Sequence, residues 1–323
     1  MTRRLLAAPA ALLAALLTAL PVGAQVSYPT QAVTIVVPFG AGSGTDIGTR
    51  LIAQKMSESL GRPVVVSNKP GANGSIAAEL VAKSKPDGHT LLMGTNSTHG
   101  ANPALLKEMH YDPIRDFEHV NLVVIFTSIV VVNPGFPVAS MRDLIAYGRA
   151  NEIKLATGNA SGIVQSETLA RTVGWKSLMR VPYKSNPDAM TEVIAGRLDM
   201  MFSDIAAAQS QVRSGKLRAL AVTSKSRSTI MPELPTVIES GVADFDLSGW
   251  IGLFAPGGTR REIVALLNGE VARVVQLPDV LARFREIGAE PNPMKPAEYA
   301  AWVQGEVTKW TKLAKDAGIQ PGM

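Results

Sequence analysis

The densest candidate chemistry lies in Pro38-Phe39-Gly40-Ala41-Gly42-Ser43-Gly44-Thr45-Asp46, between a strand-like run, Val33–Val37, and a helix-like segment from Ile47. Where a strand becomes a helix, unpaired backbone N–H groups converge and the helix dipole adds partial positive charge, which makes an anion cradle. Gly40, Gly42 and Gly44 let the main chain approach a ligand, although the same glycines would also serve a tight turn without one. Ser43 either donates its hydroxyl to the anion or caps its own helix, because its spacing to Asp46 is that of a capping box.

Other polar groups follow predicted strands, the positions at which open α/β sheets bind ligands. Asn96, Ser97, Thr98 and His99 come after Thr90–Met93 and face the opening or form an ordinary polar loop. Asn159, Ser161 and Gly162 offer a second such group, with the start of the following helix as the competing role for Ser161. Asn186-Pro187-Asp188 reads as a helix start with Pro in the first turn, which leaves Ser185 as the better contact candidate. Asp204 either caps the next helix or accepts an ammonium or hydroxyl from a ligand. Of Phe39, Tyr183 and Trp250, Phe39 is the aromatic beside the cradle.

Enzyme chemistry finds little support. His89, His99, His110 and His119 show no metal-ligand spacing, and Ser43 is flanked by Ala41 and Thr45 rather than the glycines of a nucleophile elbow. Glycines at 40, 42 and 44 complete neither a dinucleotide fingerprint nor a Walker loop, so no metal and no cofactor is expected. A carboxylate-processing enzyme with His99 as base stands as the alternative.

The elements that must position these residues alternate short β-branched runs with amphipathic stretches, the pattern of a parallel α/β sheet. Val33–Val37, Val64–Ser67 and Thr90–Met93 alternate with helices Ile47–Leu60 and Ile76–Lys83. A second series runs through strands Ile129–Val132, Lys154–Thr157, Leu198–Phe202 and Leu217–Thr223, with helices Met141–Arg149, Ser166–Val173, Pro187–Ala195 and Ile205–Ser214. After Trp250–Ala255 come three helices, Arg260–Leu277, Val280–Ile287 and Pro296–Ala317, with no sheet of their own to cover. They are expected to return to the first unit. The organisation is then an α/β protein of two lobes, 25–125 with 252–323 and 126–251, joined by two crossings around a central cleft.

Arg3 and Arg4 precede the apolar run Leu5–Leu20 and the small-residue site Val22-Gly23-Ala24, so residues 1–24 read as a signal peptide removed near Ala24. Export to a periplasm follows, and the formal charge falls from +5 to +3 with the two arginines. That charge is weak and dispersed, with no basic-aromatic interleaving, so nucleic acid is not an expected partner. The absence of cysteine excludes disulfides and thiolate chemistry. No apolar heptad marks a dimer element, which makes a monomer the expected state.

With these segments in view, the chain resembles the periplasmic solute receptors of tripartite tricarboxylate transporters, the Bug or TctC family. The resemblance is carried, in order, by Tyr28-Pro29, the Pro38–Asp46 loop, Asn68-Lys69-Pro70-Gly71-Ala72, Lys85-Pro86-Asp87-Gly88, Asn102-Pro103, Val181-Pro182-Tyr183-Lys184, Ala195-Gly196-Arg197-Leu198-Asp199 and Ser214-Gly215-Lys216-Leu217-Arg218-Ala219-Leu220-Ala221. It implies a two-lobed solute-binding protein of the type II class that holds a small organic carboxylate and delivers it to membrane permease subunits. A receptor that reports to a membrane sensor is the second reading within that class. The resemblance also implies site positions: the ligand carboxylate on the Gly40–Thr45 turn, Asn73 to Ser75 and the Thr95–Ala101 loop nearby, and, from the second lobe, Thr157 to Gly162, Ser185-Asn186 and Ser203-Asp204.

Overall fold

The computed structural model describes residues 27–322; the signal-peptide reading of residues 1–24 lies outside the described residues. In the first lobe β1 (Val33–Val37), α1 (Gly44–Leu60), β2 (Val64–Asn68), α2 (Ser75–Ala82), β3 (Thr90–Thr95), the short α3 (Asn102–Leu105) and β4 (Phe117–Phe126) follow one another. The chain then crosses at Thr127 into the second lobe. There β5 (Ser128–Val132), α4 (Met141–Ala150), β6 (Glu152–Thr157), α5 (Ala160–Val173), β7 (Ser177–Pro182), α6 (Asn186–Ile194), β8 (Met200–Asp204), α7 (Ile205–Arg213) and β9 (Arg218–Val222) complete a second sheet. A return crossing leads to β10 (Gly249–Pro256), α8 (Arg261–Val274), α9 (Pro278–Glu286), β11 (Ala289–Pro291) and α10 (Pro296–Asp316).

The first sheet has the order β11-β4-β10-β3-β1-β2 and the second β7-β6-β8-β5-β9. Both are mixed rather than purely parallel. β10 runs antiparallel to β3 and β4, and β5 runs antiparallel to β8 and β9, because the strands next to the crossings enter their sheets from the opposite end. Helices cover both faces of each sheet, so central strands are buried on both sides and read as unbroken apolar runs: β1 is VTIVV and β5 SIVVV. One face of the first sheet packs Ile35, Leu91 and Ile251 against Ile52 and Met56 of α1 and Leu267 of α8. The other packs Val36, Leu92 and Phe254 against α2 and Tyr299 and Val303 of α10.

Three differences from the sequence expectation bear on the site. Helix α5 starts at Ala160, not at Ser166, because Asn159 caps it, its side-chain oxygen accepting the Gly162 N–H at 2.8 Å. Ser161 and Gly162 therefore sit in a first helical turn instead of a loop. Strands β4, β7 and β11 were not apparent in the pattern. Finally, α10 does not pack on the first lobe alone. Its first half covers the first sheet, whereas Trp310 and Ala314 pack with Ala101 and Leu105 of the first lobe and Ala160, Ile163 and Val164 of α5.

Candidate functional site

At the start of α1 the sequence builds a rigid turn. Ser43 is the N-cap, and its Oγ accepts the Asp46 N–H at 3.2 Å. Asp46 in turn is a structural carboxylate: it accepts the Gly42 N–H at 3.0 Å, the Arg50 guanidinium at 2.9 Å and the Asn68 amide at 3.0 Å. Burial alone would raise its pKa, but the bonds from Arg50, Asn68 and Gly42 outweigh that and hold it below the ordinary carboxylate value. Gly42 is exposed, has φ +81° and points at open space. Its contribution is the left-handed backbone, since its N–H is already committed to Asp46.

The face of the turn formed by Phe39, Gly40, Gly44 and Thr45 meets the second lobe. Phe39 and Thr45 line a cavity of about 20 Å³ between the lobes. A methyl group placed on Gly40 would lie 2.8 Å from Ser185 Oγ, and one on Gly44 would lie 2.9 Å from Cβ, Cγ and Oδ2 of Asp204. The Gly44 N–H donates to Asp204 Oδ2 at 3.3 Å. A carboxylate of the chain's own second lobe thus rests on a donor of the proposed anion cradle. Burial pushes the Asp204 carboxyl up to about 6, against the lowering effect of the bonds from Gly44 and Asn186.

Opposite the turn, the loop after β3 enters a π-helical turn, Ser97–Ala101. Asn96 donates to Ser161 Oγ at 2.6 Å and accepts the Trp250 N–H at 3.3 Å; Ser97 Oγ lies 2.7 Å from Ser161 Oγ and accepts the Ser161 N–H at 3.2 Å. These contacts tie the first lobe to the N-terminus of α5. Asn159, Ser161 and Asp204 also line the cavity. So the lobes meet face to face, with space for about one water between them.

Other expected residues lie elsewhere. Thr98 turns back into its own lobe, bonded to Thr95 and to His99 Nδ1. Thr157, at the end of β6, uses its carbonyl to accept the Tyr183 N–H at 2.7 Å and is not in the cavity wall. Gly162 is committed to the α5 cap. Asn73, with φ 54°, faces a more open groove with Tyr183, Lys184 and Asp188 at the outer rim, and Ser75 begins α2 behind it. Ser185 faces Gly40, while its hydroxyl donates to Asp188 Oδ2 at 2.9 Å. Trp250 is buried, its indole N–H donating to Glu306 Oε2 at 2.9 Å, as does that of Trp310.

Sequence reasoning missed Phe126, Ser128 and Gly249 at the crossings, and Gln165 and Phe202, all of which line the cavity. Gln165 carried a signal, since it is a polar residue on the buried face of α5; its amide donates to the Leu247 carbonyl at 2.8 Å. His99, the base of the enzyme alternative, is fully buried, stacks on Phe254 at 3.9 Å and stays outside the cavity wall. Burial there holds its pKa well below the ordinary value. Among the described residues no group of three or more His, Asp or Glu is placed to hold a metal, and no helix is long and apolar enough to cross a membrane.

Two α/β lobes, two crossings and a polar seam at strand ends and helix starts define a solute-binding receptor of the periplasmic type. Comparisons with solved structures agree. The chain is similar to the R. palustris protein Rpa4515, determined with adipate (35% identity, 91% of this chain and 100% of that one, TM-score 0.88). It is similar to the periplasmic binding protein BugD (33%, 91% and 100%, 0.87) and to MatC of Rhodopseudomonas palustris with bound malate (33%, 88% and 99%, 0.84). The family described as the tripartite tricarboxylate transporter family receptor, TctC, matches residues 49–319, and the chain belongs to it. The family and these neighbours are solute-binding receptors, not enzymes.

Proposed function

We propose that this protein is an exported periplasmic receptor that captures a small organic carboxylate between its lobes and delivers it to the permease subunits of a tripartite tricarboxylate-type transporter. The observation that carries the reading is the occupied cradle: a carboxylate, that of Asp204, already takes the Gly44 N–H where a strand becomes a helix. Backbone dipoles replace hydration there without a full positive charge. Gly40, Gly44 and Thr45 on one side, with Asn96, Ser97, Asn159, Ser161 and Ser185 from both lobes, are the proposed contacts. Relatives holding adipate and malate support the ligand class, and the family description supports the permease as recipient.

The seam as it stands is too small for such an acid, so binding requires the lobes to part. The seam bonds involving Asn96, Ser97 and Ser161 are neutral, worth roughly 0.5–1.5 kcal/mol each, and so are readily exchanged for ligand contacts. A thermal-shift screen of mono-, di- and tricarboxylates tests the function. One or a few acids should raise the melting temperature by mass action on the native state, with the acid recovered unchanged. Steady product formation, or no shift with any acid, would overturn the reading.

A further inference from the structure

Asp204 stands apart within the cavity wall. It is the one ionisable side chain there; the other polar lining groups are neutral Ser, Thr, Asn and Gln, and no Lys, Arg or His is among them. It sits at the N-cap of α7 but makes no bond to that helix, reaching instead across the seam to the Gly44 N–H. Two charged groups near the starts of the flanking helices are committed elsewhere: Arg50 to Asp46 on α1, and Asp188 to the Ser185 hydroxyl on α6. Asn186, whose side-chain oxygen accepts from Asn159 at 3.2 Å, supports Asp204 with its amide.

Resting on the carboxylate reading above, we infer that Asp204 selects a ligand carrying an ammonium group beside its carboxylate, an amino acid rather than a plain organic acid. A ligand carboxylate seated on Gly44 and Thr45 comes next to the Asp204 carboxylate in a site that lacks a cation. Two like charges so placed disfavour closure. An α-amino acid brings its own cation, a few ångströms from the carboxylate it delivers. Its carboxylate takes the backbone N–H groups and its ammonium takes Asp204, so the closed site carries one negative charge fewer than with the matched acid that lacks the ammonium. A plain diacid of the same length adds negative charge and supplies nothing to Asp204. Leaving Gly44 for the ammonium costs Asp204 one N–H bond and returns that donor to the ligand.

Titration calorimetry at pH 7.5 on matched pairs differing only in the ammonium reads this directly: L-alanine and propionate, L-aspartate and succinate, L-glutamate and glutarate, L-phenylalanine and 3-phenylpropionate. In at least one pair the wild-type protein should bind the amino acid tenfold or more tighter, and Asp204→Asn should erase that preference by weakening the amino acid alone. Asp204 does not cap α7, so this variant is expected to melt with the wild type, and Asp204→Ser provides a second check. The wild-type preference stands as evidence even if both variants fold poorly. Equal or tighter binding of the plain acid overturns the inference and leaves the carboxylate reading intact. Plain-acid binding should strengthen as pH falls towards 5, where a protonated Asp204 no longer repels the ligand carboxylate, and amino-acid binding that strengthens equally over that range overturns the pairing with the ammonium. Binding of neither member of any pair overturns the inference, and the carboxylate reading falls with it only if the wider acid screen also gives no shift.

Discussion

The two lobes meet the cavity with polar side chains of similar type but in different bonding states. In the first lobe Ser43 caps its own helix, and Asp46 is held by Gly42, Arg50 and Asn68, so the turn is braced without help from across the seam. In the second lobe the side chains of Ser185 and Asp204 occupy N-cap positions yet accept no backbone N–H of the helices they precede, and both face the glycines of the first-lobe turn. Asn159, by contrast, caps α5 in the ordinary way, as Ser140 caps α4. The first lobe is thus a preformed platform, and the second is the half with bonding capacity to spend on a ligand. Polar residues at a cleft are informative mainly through whether their own lobe already satisfies them.

This division of labour requires the lobes to be fastened, and α10 supplies the fastening. Trp310 is fully buried between Ala101 and Leu105 of one lobe and Ala160, Ile163 and Val164 of the other, against Gly100, where even a methyl group would lie 2.8 Å from its ring. Trp310→Ala should lower the unfolding free energy by about 3–5 kcal/mol in urea titrations. A loss under about 1 kcal/mol would mean that the joint lies elsewhere.

Acid should separate the lobes next, since all four histidines belong to the first. His119 on β4 packs against Phe254 and Tyr299, and burial lowers its pKa to about 4 from an ordinary 6.5. The unfolded chain therefore binds a proton that the folded protein refuses. Stability is complete above about pH 6.5 and falls as pH drops towards 4, by roughly 2–3 kcal/mol for this residue. His119→Leu should flatten that share of the slope between pH 7 and pH 4.5, and an unchanged slope would remove His119 from the account.

Much of this was legible in the sequence because it is local. The Ser43–Asp46 cap needs four residues, and β1, α1, β2 and α2 appear close to their periodic patterns. The two-lobed α/β class followed from the order of such elements. What escaped depends on distant partners. Strand β7 is an edge strand with a weakly apolar pattern, and β4 includes Glu118, His119 and Asn121, which break the apolar run. The early start of α5 turns on one side chain, Asn159, that reads equally well as loop. Whether Asp204 caps α7 or crosses to Gly44, 160 residues away, is decided by lobe closure, and no spacing along the chain encodes it.

Glycine substitutions test the platform itself. Gly44→Ala puts a methyl 2.9 Å from three atoms of Asp204, in a helical turn that otherwise accepts alanine. It should weaken ligand binding about 30-fold, or roughly 2 kcal/mol, with thermal stability kept. Gly42→Ala should do the reverse. Its φ of +81° costs a side chain about 1–2 kcal/mol of stability, while its open surroundings leave affinity unchanged. Equal effects of the two on binding would contradict closure at Gly44.

The smallest effect bears most directly on the difference between the lobes. Ser43→Ala removes a cap that is made, so it should cost about 1 kcal/mol of stability. Ser185→Ala removes a cap residue that makes none, and its only hydroxyl partner is Asp188. Its cost to stability should stay within about 0.5 kcal/mol, as for a substitution away from any stabilising feature. The ligand should reverse the ranking, because the Ser185 hydroxyl faces Gly40 across the seam and can turn from Asp188 to a ligand, whereas the Ser43 oxygen is in use as a helix cap. Paired urea titrations and calorimetry on these two variants decide it. If Ser185→Ala proved the more destabilising of the two, the second lobe would be as self-satisfied as the first, and the polar residues at its edge would have no capacity left for a ligand.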